Sequence, residues 1–221
     1  VFNVLFSASN NMTTRSLRIA IINDIWPGGA ARCARDLARN LSSRHTVRYY
    51  PRQGKETIDS LLTDLSQFAP DLVHCHSYHG DVPYRFLAIV SHQYPTCFTS
   101  HDPQPIGTVH PSFIGCWECP HTKTCLRCPL VSWRRRIIPF VNPYFRQRCS
   151  KWYTHWRAAK TLNVITPSLW LKQRFMATEL CRFAIHHIPN AIDLRHFRPI
   201  ADARDRLGLP LQKKILLYVA Q

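Results

Sequence analysis

At 221 residues the chain can bury one sizeable core, and its 45% hydrophobic and 11% aromatic content exclude a disordered or fibrous chain. Its longest apolar runs, such as Phe86-Leu-Ala-Ile-Val90, fall far short of the roughly 20 residues a membrane span needs. The net charge of +16 is unevenly spread: from Cys119 to Thr178 there is no Asp or Glu against twelve Lys and Arg. That excess selects an anionic partner (a phospholipid surface, a nucleotide sugar, a phosphate-linked lipid or nucleic acid), unless it is only a solvated face.

Val1-Phe-Asn-Val-Leu-Phe6 lacks the basic flank and the length of a signal peptide. Met12-Thr-Thr-Arg-Ser-Leu-Arg18 reads as a more natural beginning, so residues 1–17 are expected to be disordered or an upstream extension. Arg18-Ile-Ala-Ile-Ile-Asn23 is a first strand, apolar enough to be buried on both faces. Pro27-Gly-Gly29 turns the chain, and Ala30, Ala34, Leu37 and Leu41 then recur at helical spacing. Thr46-Val-Arg-Tyr-Tyr50 is a second strand, and Ile58, Leu61, Leu62, Leu65 and Phe68 form a helical stripe closed by Pro70. Asp71–His76 is a third strand; a helix around Tyr84–His92 leads to a fourth, Thr96–His101. After a long irregular stretch come a strand Thr161–Thr166, a helix Ser168–Leu180 and a strand Ala184–Ile188. Strands alternating with helices predict an α/β fold: a Rossmann-like, doubly wound parallel sheet.

Beyond Ile188 the pattern changes. Ile188-Pro-Asn-Ala-Ile-Asp193 and Arg204-Asp-Arg-Leu-Gly-Leu-Pro210 read as a turn, a short helix and a linker. Lys213-Lys-Ile-Leu-Leu-Tyr-Val-Ala220 then reads as a buried strand with no successor. The expected organisation is a main domain over 18–188 with a Cys-rich insert at 110–130, a crossover over 189–212, and the first strand of a second domain over 213–221.

Four groups of residues could carry chemistry. A strand followed by Gly28-Gly29 and a helix points backbone N–H groups at an anion, and two glycines let a phosphate approach without a Cβ in the way. The same turn can be purely structural. It is not the GxGxxG fingerprint, so no nicotinamide cofactor is implied. His101-Asp102 follows strand four at the carboxyl edge of the sheet, where open α/β sheets place their ligands; a His there can bond a sugar hydroxyl or share a proton. The bland alternative is a His capping a strand end. His74 and His76 alternate with Val73 and Cys75, one as a packed strand residue and the other reaching that edge.

Cys116-Trp-Glu-Cys119 and Cys125-Leu-Arg-Cys128 are two CxxC pairs, spaced to complete a tetrahedral structural zinc site. The intervening loop is tighter than in usual zinc ribbons, and reduced thiols, a disulfide or an iron–sulfur cluster remain open. Cys33, Cys75, Cys97, Cys149 and Cys181 read as core residues. Trp133, Arg134, Arg135 and Arg136 open a segment, running through Tyr153, Trp156 and Lys160, that interleaves aromatics with cations. This composition suits an anionic membrane surface, with single-stranded nucleic acid ranked second.

In this order the pieces resemble the N-terminal domain of the retaining glycosyltransferases of family 4 (group 1). Arg18–Leu41 with its Gly-Gly-Ala-Ala-Arg turn, Pro70-Asp-Leu-Val-His-Cys-His76, Thr99-Ser-His-Asp102, Val164-Ile-Thr-Pro-Ser168 and Ile188–Pro199 carry the resemblance. The Cys-rich insert resembles a subset of that family. The resemblance implies one domain of a GT-B pair, working as a hexosyltransferase-type enzyme of glycan biosynthesis. Sugar would pass from a nucleotide-sugar donor to a lipid-linked or polysaccharide acceptor. It places Gly28 and Gly29 against the donor diphosphate, His101 with Asp102 beside the transferred sugar, and Asn190 and Asp193 in the interdomain crossover. Ala191 stands where the family usually has Gly. The donor-binding domain would follow Gln221, so this chain alone is expected to be inactive, as one half of a truncated or split enzyme. Cytoplasmic placement, peripheral at the inner membrane face, follows from the same resemblance. The alternative is a non-catalytic, basic, zinc-stabilised module binding an anionic membrane or nucleic acid.

Overall fold

The structure, a computed structural model, describes residues 15–23, 28–51, 57–76, 81–103, 105, 155, 157–194 and 196–218. The chain divides into two compact units, residues 1–189 and 190–221.

The first unit is built on six parallel strands. β1 (Arg18–Asn23), β2 (Thr46–Pro51), β3 (Leu72–His76), β4 (Thr96–Thr99), β5 (Asn163–Thr166) and β6 (Ala184–His187) lie in the order β2-β1-β3-β4-β5-β6. The chain leaves β1 toward β2 and returns to the other side of β1 as β3. The winding therefore reverses between β1 and β3, and the carboxyl ends of the strands at such a reversal are where open α/β sheets place their ligands. The expected α/β, Rossmann-like class is what the protein has.

Alternation along the strands sorts the core into two layers. On one face Ile19 and Ile21 pack with α1 (Gly29–Leu41) through Ala34 and Ala38. On the other, Ala20, Ile22, Val73, Cys75, Phe98 and Val164 pack with α2 (Ile58–Phe68), α3 (Asp81–Gln93) and α4 (Leu169–Met176) through Leu65, Phe86, Val90 and Phe175. The α1 stripe differs by about one residue from the sequence reading. Ala31, Ala34 and Ala38 are buried, while Leu37 and Leu41 flank them half-buried. Small alanines let the helix approach the sheet, and the longer leucines reach round its sides.

Local chemistry sets the ends of these elements. Thr57 caps α2, its Oγ1 accepting from the backbone N–H of Ser60 at 3.1 Å; Ser168 does the same for α4 from Leu171 at 3.2 Å. α2 stops at Ala69, in the left-handed conformation (φ 48°, ψ 64°) before Pro70. The expected helix to Leu180 instead ends at Met176, and Glu179–Arg182 form a separate 3-10 turn capped by Thr178. Leu17 is tied into the fold. Its backbone N–H donates to His45 Nδ1 at 3.3 Å, and its carbonyl accepts from Thr46 N–H at 2.8 Å. Residues 15–17 are therefore not part of an idle extension; residues 1–14 lie outside the described ones. Among the cysteines, Cys75 and Cys97 are buried as expected. Cys33 is half-buried and Cys181 exposed on the 3-10 turn, and Cys149 lies outside the described residues.

The second unit contains a short helix, α5 (Ala203–Arg206), whose Arg204 donates from Nη1 to the carbonyls of Pro210, Leu211 and Lys213. Residues 214–218, read from the sequence as a strand, are not one in the structure, and Leu216, Leu217 and Tyr218 are exposed. A strand exists through its ladder to a neighbour, and the described residues of this unit include no second strand.

Candidate functional site

The register of the sheet builds a polar rim. Asn23 ends β1, His76 ends β3 and Thr99 ends β4; Asn23 pairs with His76, and His76 pairs with Thr99. Residues paired across parallel strands point to the same face, so all three share the α1 face of the sheet at its carboxyl edge. One layer below, the same row reads Ile21, His74, Cys97. The face therefore turns from apolar to polar as it approaches the edge where the winding reverses.

Three histidines form a continuous chain there. His74 Nε2 lies 2.8 Å from Thr99 Oγ1. The His74 and His76 ring centroids are 4.4 Å apart, and His76 Nδ1 is 3.2 Å from His101 Nε2. His74 and His76 are both buried; His101, two residues past the end of β4, is partly open. The loop carrying His101 is held by Ser100, whose N–H donates to Ile165 O at 2.9 Å and whose Oγ donates to Asp102 O at 2.7 Å.

Burial decides the charge of this chain. It lowers His74 to about 4, with the charge of His101 adding to the effect. It lowers His76 well below the ordinary imidazole value, helped by the charges of His74 and His101. His101 is also lowered by burial, against the opposing pull of Asp102. At neutral pH the three rings are neutral imidazoles, able to donate from one nitrogen and accept at the other. His76 Nε2 has no hydrogen-bond partner among the described residues.

Sequence reasoning named His101, Asp102 and both strand histidines, and the structure brings them together: His76 is the one that reaches His101. It missed Asn23 and Thr99. Their signal was present, since each is a polar residue ending an apolar strand, but only the register shows that they share a face with His76.

Gly28 is the N-cap of α1, in an extended conformation (φ −168°, ψ −177°) open to any residue. A Cβ added at Gly29 would meet nothing within 4 Å among the described residues. Among those residues, then, nothing in the packing or backbone requires glycine at either position. α1 also lacks a side-chain cap and an acidic residue in its first turn, so its positive N-terminal end is uncompensated by its own sequence.

Asn190 and Asp193 lie exposed at the start of the second unit, where Asp193 O accepts from the N–H groups of His196 and Phe197 at 3.1 and 2.8 Å. Ala191 has an ordinary negative φ, because Ala69 is the one non-glycine with positive φ among the described residues. The alanine is thus accommodated without strain. Cys116, Cys119, Cys125 and Cys128, and Trp133, Arg134, Arg135 and Arg136, lie outside the described residues. Among the described residues no group of His, Cys, Asp or Glu is arranged to hold a metal, and no helix is long and apolar enough to cross a membrane.

The family model described as Glycosyltransferase Family 4 matches residues 49–196, about two thirds of the chain. The match runs from the end of β2 through His76, His101 and β6 to the first residues of the second unit. No curated protein matches the sequence.

Proposed function

Because the chain belongs to glycosyltransferase family 4, we propose that the carboxyl-edge site serves hexosyl transfer from a nucleotide-sugar donor to a lipid-linked or polysaccharide acceptor. The observation that carries this reading is the buried polar rim Asn23, His76 and Thr99, leading to His101 at the point where the sheet reverses its winding. Thr99 bonds His74 and His76 Nδ1 bonds His101, so among the described residues the rim's uncompensated cost lies at the buried His76 Nε2. In this reading the bonded rim holds His101, its partly open neighbour, toward a ligand rich in hydroxyls.

In this reading the N-terminal end of α1, at Gly28 and Gly29, takes the donor diphosphate, and the absence of a Cβ lets the phosphate oxygens approach. His101 bonds the transferred sugar, and Asp102 biases its charge. The domain is the acceptor-side half of a two-domain GT-B enzyme, with Asn190 and Asp193 in the crossover to a donor-binding half. The basic, aromatic segment beginning at Trp133–Arg136 holds the enzyme at an anionic, cytoplasm-facing membrane surface where a lipid-linked acceptor is met. Cys116, Cys119, Cys125 and Cys128 bind a structural zinc, to be read as about one zinc per chain by elemental analysis and lost in Cys119→Ser.

The test is a titration of isotope-labelled protein with nucleotide sugars and with candidate glycan acceptors. Saturable shifts at Gly28, Gly29 and His101 are expected, together with weakened nucleotide-sugar binding in His101→Ala. Ligands that bind only elsewhere, or none binding at all, would overturn the reading. Turnover by these 221 residues alone, abolished by His101→Ala, would support transfer while removing the need for a donor-binding half.

A further inference from the structure

We propose that His76 is a positioning residue that fixes His101 in one tautomer: His76 donates its Nδ1–H to His101 Nε2, so that His101 carries its own proton on Nδ1. The consequence for function rests on the sugar-transfer reading above. With Nε2 engaged inward, the nitrogen that His101 can offer a ligand oxygen is Nδ1, and it offers it as a donor.

The geometry gives two arrangements, because a 3.2 Å contact between two neutral imidazoles holds a single proton. If His101 were the donor, His76 would carry its proton on Nε2. That Nε2 is buried and has no partner among the described residues, so an N–H would be stranded in the interior. If His76 is the donor, the same nitrogen is a bare lone pair instead. Stranded buried N–H donors are the rarer fault in proteins, and under-satisfied acceptors are better tolerated. The two rings therefore choose the arrangement that puts the His76 proton in the contact.

The neighbours keep His76 in place for this. His74 lies against it at 4.4 Å between ring centroids and is itself held at Nε2 by Thr99 Oγ1, 2.8 Å away. His76 is in register between Asn23 and Thr99, so the strands on both sides fix its backbone. The lowered proton affinities of all three rings, caused by burial, keep the contact in its single-proton form at neutral pH. The nitrogen of a histidine that bears the proton is set by the bond its other nitrogen makes, and here that bond comes from His76.

The experiment is nitrogen NMR of the free protein with isotope-labelled histidine. The expected spectrum has His101 protonated at Nδ1, and a through-bond coupling across the contact assigns its proton to His76 Nδ1. A His101 protonated at Nε2 would overturn the proposal without any variant being made. His76→Phe can neither donate nor accept at that place and should release His101 to a mixture of tautomers. A folded His76→Phe with His101 unchanged would also overturn the proposal. The measurement involves no ligand. A correct tautomer in a protein that binds no sugar or nucleotide sugar would sink the proposed function and leave this assignment standing.

Discussion

Asn23 and His76 are in register at the last positions of β1 and β3, on one face of the sheet and only 2% and 3% exposed. Two buried polar side chains side by side at the reversal of a parallel sheet are costly for the fold alone. Asn23 bonds the side chain of Tyr49, but His76 leaves Nε2 without a partner among the described residues. The cost at His76 is the one that substitution can recover.

His76→Phe removes that orphaned nitrogen and the desolvation of an imidazole while keeping an aromatic ring beside His74. By ordinary core energetics the variant should be as stable as the parent or more stable by about 1 kcal/mol at pH 7. Urea unfolding followed by circular dichroism reads this directly. A loss of more than about 2 kcal/mol would mean that His76 holds the fold together rather than serving the site.

Gly29→Ala separates fold from ligand in the same way. No atom of the described residues lies within 4 Å of the added Cβ, and alanine suits a helix better than glycine. A stability gain of about 0.5 kcal/mol is expected, with nucleotide-diphosphate binding weakened about tenfold or more if phosphate approaches this turn. Calorimetric titration with a nucleoside diphosphate, beside a thermal melt, gives both numbers. Unchanged binding would remove Gly29 from the proposed diphosphate site.

Acid should unfold the first unit early. His74 titrates near 6.5 when unfolded but only at about 4 in the fold, because burial disfavours its charged form. Between those values the unfolded chain binds more protons than the native one, so stability falls as pH drops from 6.5 toward 4 and is regained as pH rises. His76 and His101, lowered for the same reason, act in the same direction. The loss attributable to His74 is on the order of 3 kcal/mol. A stability profile from pH 7.5 to 4 measures it. His74→Phe should flatten the profile, and an unchanged slope would show that His74 titrates normally.

Much of this was legible in the chain itself. The continuous apolar run of β1 and the helical stripe from Ile58 to Phe68 are long and periodic, and both elements are where their patterns put them. His101 was legible because it directly follows a strand, and the carboxyl edge follows from the βα alternation. The partnership of His76 with His101 was not, since it depends on which strand lies beside β3, and neighbours in a parallel sheet are set by long crossovers. The end of α4 was misread because Thr178, two residues beyond the helix, caps a separate turn. The residues from Lys214 to Tyr218 have strand composition, yet composition cannot supply the neighbour a strand needs.

Ala69 offers a test of the backbone alone. It ends α2 with φ 48°, its N–H donating to Leu65 O at 2.8 Å, and its side chain is exposed. An L-residue with a Cβ pays about 1 kcal/mol in this region, and glycine does not. Ala69→Gly should stabilise the protein by about 0.5 to 1 kcal/mol, the relief exceeding the added freedom of the unfolded chain. A destabilised variant would mean that Ala69 is not left-handed in solution.

The proposed membrane attachment would have two physical parts that can be read separately. The cations at Arg134, Arg135 and Arg136 belong to a stretch without acidic residues, and each cation near an anionic surface contributes about 1 kcal/mol, screened by salt. On α4, Leu169, Trp170 and Met176 are 59%, 43% and 51% exposed, and the Arg174 guanidinium lies 5.5 Å from the Trp170 ring centroid. An exposed aromatic with a cation over it suits the boundary between headgroups and acyl chains, and its apolar contribution does not weaken with salt. Co-sedimentation with vesicles should therefore need anionic lipid and fall steeply with salt. Changing Arg134, Arg135 and Arg136 to Glu should abolish most of it. Trp170→Ala should leave the salt dependence intact but remove the binding that survives at high salt. Single-stranded oligonucleotide that displaces the protein from vesicles at low concentration would turn the basic segment toward nucleic acid instead.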